Sequence, residues 1–167
     1  MRNTAAAASI ELLIECRHRG PGIPVDDLKV CTLALLGQPV LGLDKAVLTV
    51  YLVDAKAMAR VNKQHLGHEG STDVITFPYP RLPDDPRATI RGELFVCVDD
   101  ARAQARAFGC PWRQELLRYV VHGVLHLCGY DDLQPRPKRI MKRLENSLTR
   151  TLSLASPRFQ SRRRAES

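Results

Sequence analysis

The sequence predicts an α+β fold, in which a single mixed β-sheet of about four strands has helices packed over it and a central helix carries a metal site. Strand-like and helix-like segments alternate, but they are too few for a doubly wound fold. The 167 residues, 44% of them apolar, are enough for one core, and no repeat or linker divides them. We expect one domain at residues 9–154, a disordered N-terminus at residues 1–8 and a basic, disordered tail at residues 155–167.

The first half of the chain predicts two strands and two helices. Residues 9–18 alternate weakly and indicate a first strand. Pro24 can open a helix that ends near Gly37. Residues 46–53 are a β-branched run typical of a strand, and Asp54 is placed to cap a helix at residues 55–66.

The second half begins with a glycine-punctuated loop at residues 65–71 and a strand at residues 72–77. An extended loop follows because it contains four prolines, Pro78, Pro80, Pro83 and Pro86. Residues 92–98 predict another strand, after which Asp99 or Asp100 can cap a helix that reaches Phe108 and closes at Gly109.

The last two helices carry the strongest apolar patterns. Pro111 begins the helix that contains the run VVHGVLHL. Residues 136–154 predict the final helix, whose apolar stripe has a spacing of four residues: Ile140, Leu144, Leu148 and Leu152.

His122 and His126 stand four residues apart in that apolar helix, which places both imidazoles on one face. Gly129 allows a left-handed turn, so the chain can bring Asp132 back beneath the pair. Two nitrogens and one carboxylate oxygen leave a fourth tetrahedral position open, as in a catalytic zinc site. The alternative is two hydrogen-bonded core histidines before a glycine cap.

The net charge of +7 is placed unevenly. Residues 134–167 hold ten basic side chains against two acidic ones, whereas the preceding residues hold 15 basic and 16 acidic. A basic surface beside a reactive centre favours a polyanionic substrate, because Lys and Arg gain from the release of phosphate counterions. A solvated helix face with a free tail is the alternative.

The five cysteines are odd in number and form no close pair, which indicates reduced core thiols and a cytoplasmic protein. Glu11 and Glu15 interrupt the N-terminal apolar residues before a signal-like core can form. No apolar run approaches the length of about 18 residues that spans a membrane. We expect neither a membrane contact nor a nucleotide cofactor.

Three segments together resemble one known family. HGVLHLCGYDD at residues 122–132 resembles the HGxLHLxGYDH signature of the YbeY family of metal-dependent ribonucleases. VNKQHLGHEGSTDVITFP at residues 61–78 resembles its LNxxYRGxxxPTDVLSFP segment, and GELFVCVDDARAQA resembles the strand and helix between them. The three segments keep the family's order and spacing over about residues 46–152.

The resemblance implies an endoribonuclease that matures ribosomal RNA, especially the 3′ end of the small-subunit RNA, and that takes part in ribosome quality control. Its partners would be ribosomal RNA and the ribosome or its proteins. It also implies one Zn²⁺ per chain, held by His122, His126 and Asp132. His122 and His126 match the family residue for residue, whereas Asp132 stands where the family usually has histidine; a carboxylate also binds zinc.

Besides Asp132, this chain differs from the family at a second position. The resemblance implies a role in the catalytic cleft for the arginine of the family's YRG tripeptide, and this chain has Leu66 there. Leucine cannot neutralise a phosphate. Arg118, one helical turn before His122, is a candidate catalytic substitute, and His65 and His68 are others. Asp73 is a candidate acceptor for the outer ring N–H of a ligand imidazole, which it would orient toward the metal. The alternative is that Asp73 simply caps a turn.

The residue after His122 distinguishes a ribonuclease from a zinc protease of similar spacing. Such proteases need glutamate there as a general base, and this chain has Gly123. Glu115 lies about two turns away. RNA can be cleaved by its own 2′-hydroxyl or by a hydroxide at the metal. The sequence therefore favours cleavage of single-stranded RNA; a metzincin-like zinc peptidase and a non-catalytic ribosome-associated factor stay as alternatives.

Overall fold

In the computed structural model, the described residues 8–160 form a four-stranded mixed sheet with helices packed on it, as predicted. The strands are β1 (Ser9–Cys16), β2 (Lys45–Val53), β3 (Val74–Pro78) and β4 (Thr89–Cys97). The helices are α1 (Val25–Leu36), α2 (Ala55–Leu66), α3 (Val98–Phe108), α4 (Trp112–Leu127), α5 (Pro135–Leu154) and α6 (Pro157–Gln160), with a short 3-10 helix at Pro39–Leu41.

The strand order is β1-β2-β4-β3. β1 pairs parallel with β2, and β2 pairs parallel with β4. β3 pairs antiparallel with β4, which places β3 at one edge of the sheet. α1 lies on the connection from β1 to β2, and α2 lies on the connection that leads from β2 through β3 to β4. Each parallel pair of strands is therefore joined by a crossover that contains a helix. The mixed sheet is thus the result of one hairpin-like pairing added to a parallel core.

Alternation along β4 separates the two faces of the sheet. Ile90, Leu94 and Val96 belong to the main core, which contains buried residues of α1, α4 and α5. Phe95 packs instead against a smaller cluster that contains Met58 of α2 and Ile75 of β3. Consecutive residues of one strand therefore support α4 on one side and α2 on the other.

Two glycines let α4 approach the sheet closely. A Cβ at Gly123 would lie 2.7 Å from Leu94 Cδ2, and a Cβ at Gly92 would lie 2.6 Å from the Phe77 carbonyl oxygen and 2.7 Å from Leu127 Cδ2. A side chain at either position would push the helix away from β4. The pair therefore fixes the height of α4, and with it the position of His122, above the sheet.

The helix ends agree with the predicted caps at some positions and not at others. The Asp54 carboxylate accepts the Ala57 amide at 2.7 Å, as predicted, and Gly109 closes α3 with φ 65°. The prediction that Asp99 or Asp100 caps α3 is wrong, because Cys97 precedes the first helical residue and both acids lie in the first turn. Asp99 instead accepts the Ala55 amide of α2 at 2.8 Å.

Two further predictions on the C-terminal half need correction. Ile140 is 53% exposed and Met141 is buried in its place, whereas Leu148 and Leu152 are buried as predicted. The disordered tail was expected from residue 155, but α6 follows and buries Phe159 completely against the main core. Residues 161–167 and, apart from Ala8, the expected disordered N-terminus lie outside the described residues.

All five cysteines are free, and Cys31 and Cys97 are buried, whereas Cys16 is exposed rather than in the core. Among residues 8–160, none of the helices combines the length and the apolar character needed to cross a membrane.

Candidate metal centre

The last two turns of α4 place two imidazoles edge to face. His122 Nε2 and His126 Nε2 are 3.0 Å apart, and the ring planes meet at 80°. Both side chains are partly exposed, at 24% and 29%. The spacing of four residues thus brings the two nitrogens together at the surface of a helix whose other faces are buried.

The turn after α4 brings Asp132 to the same point. Gly129 has φ 90°, a left-handed conformation, and its amide donates to the His126 carbonyl. The Tyr130 amide donates to the Leu125 carbonyl at 3.0 Å, which completes a Schellman cap. The reversal of the chain puts the Asp132 carboxylate oxygens 3.8 Å from His122 Nε2 and 3.8 Å from His126 Nε2.

These distances suit a small divalent cation. The donor atoms of His122, His126 and Asp132 all lie within 4.8 Å of one another. Ligands of a tetrahedral zinc, with metal–nitrogen bonds of about 2.0 Å, are separated by about 3.3 Å. The separations of 3.0 and 3.8 Å bracket that value. The three side chains that the sequence singled out therefore form a group that could hold one metal ion.

The outer nitrogens of both rings already have acceptors. His122 Nδ1 lies 2.8 Å from Glu145 Oε2, and His126 Nδ1 lies 3.1 Å from the Tyr130 carbonyl oxygen. Both acceptors favour the tautomer with hydrogen on Nδ1, which leaves a lone pair on each Nε2. Two lone pairs that face each other repel unless a cation lies between them, so the donor set fits a metal.

Glu145 is the buried centre of an ionic network between α4 and α5. Its side chain is 4% exposed and accepts from Arg118 Nη1 at 3.0 Å and from Lys142 Nζ at 2.8 Å. Burial raises its pKa, but the hydrogen bonds from His122, Lys142 and Arg118 outweigh burial and lower the pKa to about 2. The carboxylate therefore stays ionised beside His122.

The same contact acts on His122. Burial lowers the pKa of His122, but the hydrogen bond and the negative charge of Glu145 exceed that effect, and the pKa is raised. A carboxylate behind an imidazole increases the electron density at the opposite nitrogen, which makes it a better metal ligand.

The sequence reasoning did not identify Glu145. A signal was present, because Glu145 is the one acidic residue of α5 and lies between Met141 and Leu148 on its buried face. An isolated acid on the apolar face of a basic helix requires a buried partner, and a histidine of the neighbouring helix meets that requirement.

Asp73 forms no hydrogen bond to either ligand imidazole in the described structure. Its carboxylate oxygen accepts from the Thr72 hydroxyl at 3.0 Å and from the Val74 amide at 2.8 Å, and the acceptors of the two ring N–H groups are Glu145 and Tyr130. Asp73 nevertheless lines the cleft in front of the metal centre. It caps the start of β3, which is the alternative that the sequence left open.

The cleft has a volume of about 220 Å³ and brings basic and acidic side chains together. Besides His122, Asp132 and Glu145, its lining includes Asp73, Glu115, Arg118, Tyr119, Lys138, Met141 and Lys142. Arg118 lies in the cleft, as expected from its spacing, but it pairs with Glu145 and, at 3.3 Å, with Glu115. Within residues 8–160, Lys138 forms no ion pair with an acidic side chain.

The segment with the family's arginine position is not part of this lining. Leu66 ends α2 and is 50% exposed. The His65 ring packs edge to face on Phe77, with ring centroids 5.1 Å apart, and His68 is exposed. Within residues 8–160, none of the three lines the cleft.

Comparisons with known proteins agree with the motif. A family model described as Endoribonuclease YbeY matches residues 29–153. An Endoribonuclease YbeY of Parafrankia sp. is 36% identical over 136 residues, which cover 74% of this chain and 86% of the relative. One of Phocaeicola vulgatus is 39% identical over 105 residues, which cover 63% of this chain and 72% of the relative.

The solution structure of TM1509 from Thermotoga maritima shares the fold, with a TM-score of 0.57 and 24% identity over 94% of this chain and 99% of that chain. Since the family model spans most of the sequence and the relatives match it over most of their own length, the chain belongs to the YbeY endoribonuclease family.

Proposed function

We propose that this protein is a zinc-dependent endoribonuclease that cleaves single-stranded RNA during maturation of the small-subunit ribosomal RNA 3′ end and in ribosome quality control. The observation that carries the proposal is the convergence of His122, His126 and Asp132, of which His122 and Asp132 line the cleft. Family membership supports the substrate, since the matching relatives are named endoribonucleases. The free cysteines support work in the cytoplasm, where ribosomes assemble.

The residues of the cleft divide the work. His122, His126 and Asp132 would hold one Zn²⁺, which supplies a Lewis acid to polarise a phosphate oxygen. Glu145 and the Tyr130 carbonyl hold the two imidazoles in the tautomer that binds metal. Lys138 and Lys142 line the same cleft and attract the phosphodiester backbone.

Arg118 is placed to position Glu145 rather than to meet the phosphate directly. Two carboxylates, of Glu115 and Glu145, neutralise its guanidinium, and Asn146 Oδ1 accepts from Nη1 at 2.6 Å. A catalytic role for Arg118, as a substitute for the family's arginine, stays a prediction. The cleft lysines have freer access to a substrate, because Lys138 is exposed and Lys142, although it pairs with Glu145 at 2.8 Å, is 59% exposed.

The zinc peptidase alternative lacks a base. A side chain at position 123 would collide with Leu94, so a glutamate does not fit there. Glu115 is buried and paired with Arg118. A binding factor without activity is the second candidate, and the pairing of Arg118, together with Leu66 at the family's arginine position, favours it.

The deciding experiment joins metal analysis to a cleavage assay. The purified protein should contain one equivalent of zinc, and Asp132→Ala should lose it, whereas Asp131→Ala, a neighbouring carboxylate outside the ligand group, should retain it. The wild type should cut structured ribosomal RNA. The wild type should not cut it after its metal is removed by a chelator, and His126→Ala should not cut it at all. Ribosome binding without any metal-dependent cleavage would assign the non-catalytic role, and peptide hydrolysis lost in His126→Ala would assign the peptidase.

A further inference from the structure

A second groove opens on the face of the sheet opposite to α4. The segment after β1 contributes Arg17 and Arg19 to one wall, and α2 contributes Lys56, Arg60 and Gln64 to the other. Phe95 of β4 also lines the groove. The volume of this β1–α2 groove is about 660 Å³, compared with about 220 Å³ for the metal cleft.

The groove is basic, and its cations are largely free. Its one acidic lining residue, Asp54, uses its carboxylate to cap α2. In the described part of the chain, Arg19, Lys56 and Arg60 form no ion pair with an acidic side chain, and all three are exposed. Lys56, Arg60 and Gln64 are spaced by four residues, so α2 presents one stripe along the groove.

The opposite wall is held in position by aromatic rings. The Arg17 guanidinium lies 4.1 Å above the Tyr51 ring and pairs with Glu15 at 2.7 Å. Tyr51 packs on Phe95 with centroids 4.7 Å apart, and Phe95 contacts Phe77 at 5.6 Å. A cation stacked on a row of packed rings loses little freedom when an anion binds.

We propose that the β1–α2 groove binds the phosphodiester backbone of RNA outside the segment that is cleaved. The proposal rests on the proposed endoribonuclease function, because that function supplies the RNA. Regularly spaced cations without acidic partners gain free energy when phosphates replace their counterions. The half-buried face of Phe95 offers an apolar surface to a sugar or base that lies between two phosphates.

The position of the groove separates its role from catalysis. Leu94 faces α4 and the metal centre, whereas the next residue, Phe95, faces the groove. An RNA that contacts both sites must therefore pass around an edge of the sheet. A short single strand can fill the cleft without reaching the groove, and a folded ribosomal RNA fragment is large enough for both.

The test compares two RNAs and two matched double variants. Lys56→Ala with Arg60→Ala removes two charges from exposed positions of α2, where alanine maintains the helix. Lys29→Ala with Arg106→Ala removes the same charge from exposed positions of α1 and α3 outside the groove. Circular dichroism and the urea midpoint establish that all proteins fold alike.

For a structured small-subunit RNA fragment, the groove variant should bind roughly tenfold more weakly, and the slope of log K against log salt should fall by about 2. Cleavage of a single strand of about four nucleotides, too short to pass around the edge of the sheet, should be unchanged. The proposal is overturned if the groove variant binds the fragment like the wild type, or if the Lys29 and Arg106 variant weakens it equally. If the wild type cleaves neither RNA, the endoribonuclease function fails, and the binding comparison still decides the groove.

Discussion

His122 Nδ1 lies 2.8 Å from Glu145 Oε2, and this contact joins α4, which carries two of the three candidate metal ligands, to α5. The Glu145 carboxylate is 4% exposed and also accepts hydrogen bonds from Arg118 and Lys142. The His122 ring therefore cannot turn without breaking a buried ionic network. The orientation of one metal ligand depends on a residue 23 positions away in sequence.

Glu145→Gln should weaken metal binding. The substitution retains the shape of the side chain but removes the charge behind His122, and loss of such a partner typically lowers metal affinity about 10- to 100-fold. A chelator competition measures the dissociation constant. Asp131→Asn is the control, because the Asp131 carboxylate accepts the Leu133 amide and lies outside the ligand group. Equal dissociation constants for both variants would show that Glu145 does not support the ligand.

Asp132→His should shift the pH dependence of cleavage toward lower pH. The substitution replaces an anionic ligand by a neutral one, which raises the formal charge of the zinc site and makes a water held there more acidic. The wild type should therefore have the more alkaline optimum. The measurement is the rate of RNA cleavage across pH for both proteins at saturating zinc, and identical profiles would contradict the expectation.

Gly92→Ala should destabilise the protein by about 1–3 kcal/mol, the usual effect of overpacking. The new Cβ would lie 2.6 Å from the Phe77 carbonyl oxygen, which is backbone and cannot rotate away. Urea unfolding gives the free energy of unfolding. In Gly37→Ala, the control, the new Cβ would find its nearest neighbour at 3.6 Å and φ is −83°, so stability should stay the same or rise. A loss of similar size in both variants would refute the packing argument.

Asp85→Asn should remove a stabilisation that depends on pH. The hydrogen bond from the Leu82 amide, then that from Lys45, lowers the pKa of Asp85 below its usual range. In the unfolded chain the pKa has its ordinary, higher value, so the unfolded chain takes up the proton first as pH falls below about 4. The stabilisation by the ionised Asp85 carboxylate is therefore complete above that pH and is lost as pH falls through the lower pKa of the folded protein. The difference in urea midpoint between wild type and Asp85→Asn should be constant above about pH 5 and narrow in acid. Asp84→Asn, at an exposed neighbour, should show no such narrowing.

Local sequence signals predicted the backbone of the candidate site well. The spacing of His122 and His126 and the glycine turn before Asp132 depend only on helix pitch and on the left-handed freedom of Gly129. The strands at residues 46–53 and 72–77 were predicted from similarly local signals, because a β-branched run and an alternating pattern each lie within one segment. The limits of the strands moved by up to three residues, as for β4, which begins at Thr89 rather than at residue 92.

Contacts between segments were less predictable. On α5, Leu148 and Leu152 are buried as predicted, but Met141 is buried rather than Ile140. Glu145 shares this buried face and meets His122, a contact that the apolar stripe alone does not indicate. Asp99 has the sequence signature of a cap for α3, but it caps the start of α2 and also meets His18 Nε2 at 3.0 Å. A side chain with several possible partners is assigned by tertiary packing, which the local sequence does not contain.

The alternation along β4 limits which mutations this strand can accept during evolution. Leu94 and Phe95 serve opposite sides of the sheet, so an insertion or deletion of one residue in this strand would exchange every inward and outward side chain. The strand can therefore tolerate drift in residue type but not in length, and variation in length should be confined to connections such as the proline-rich segment before it.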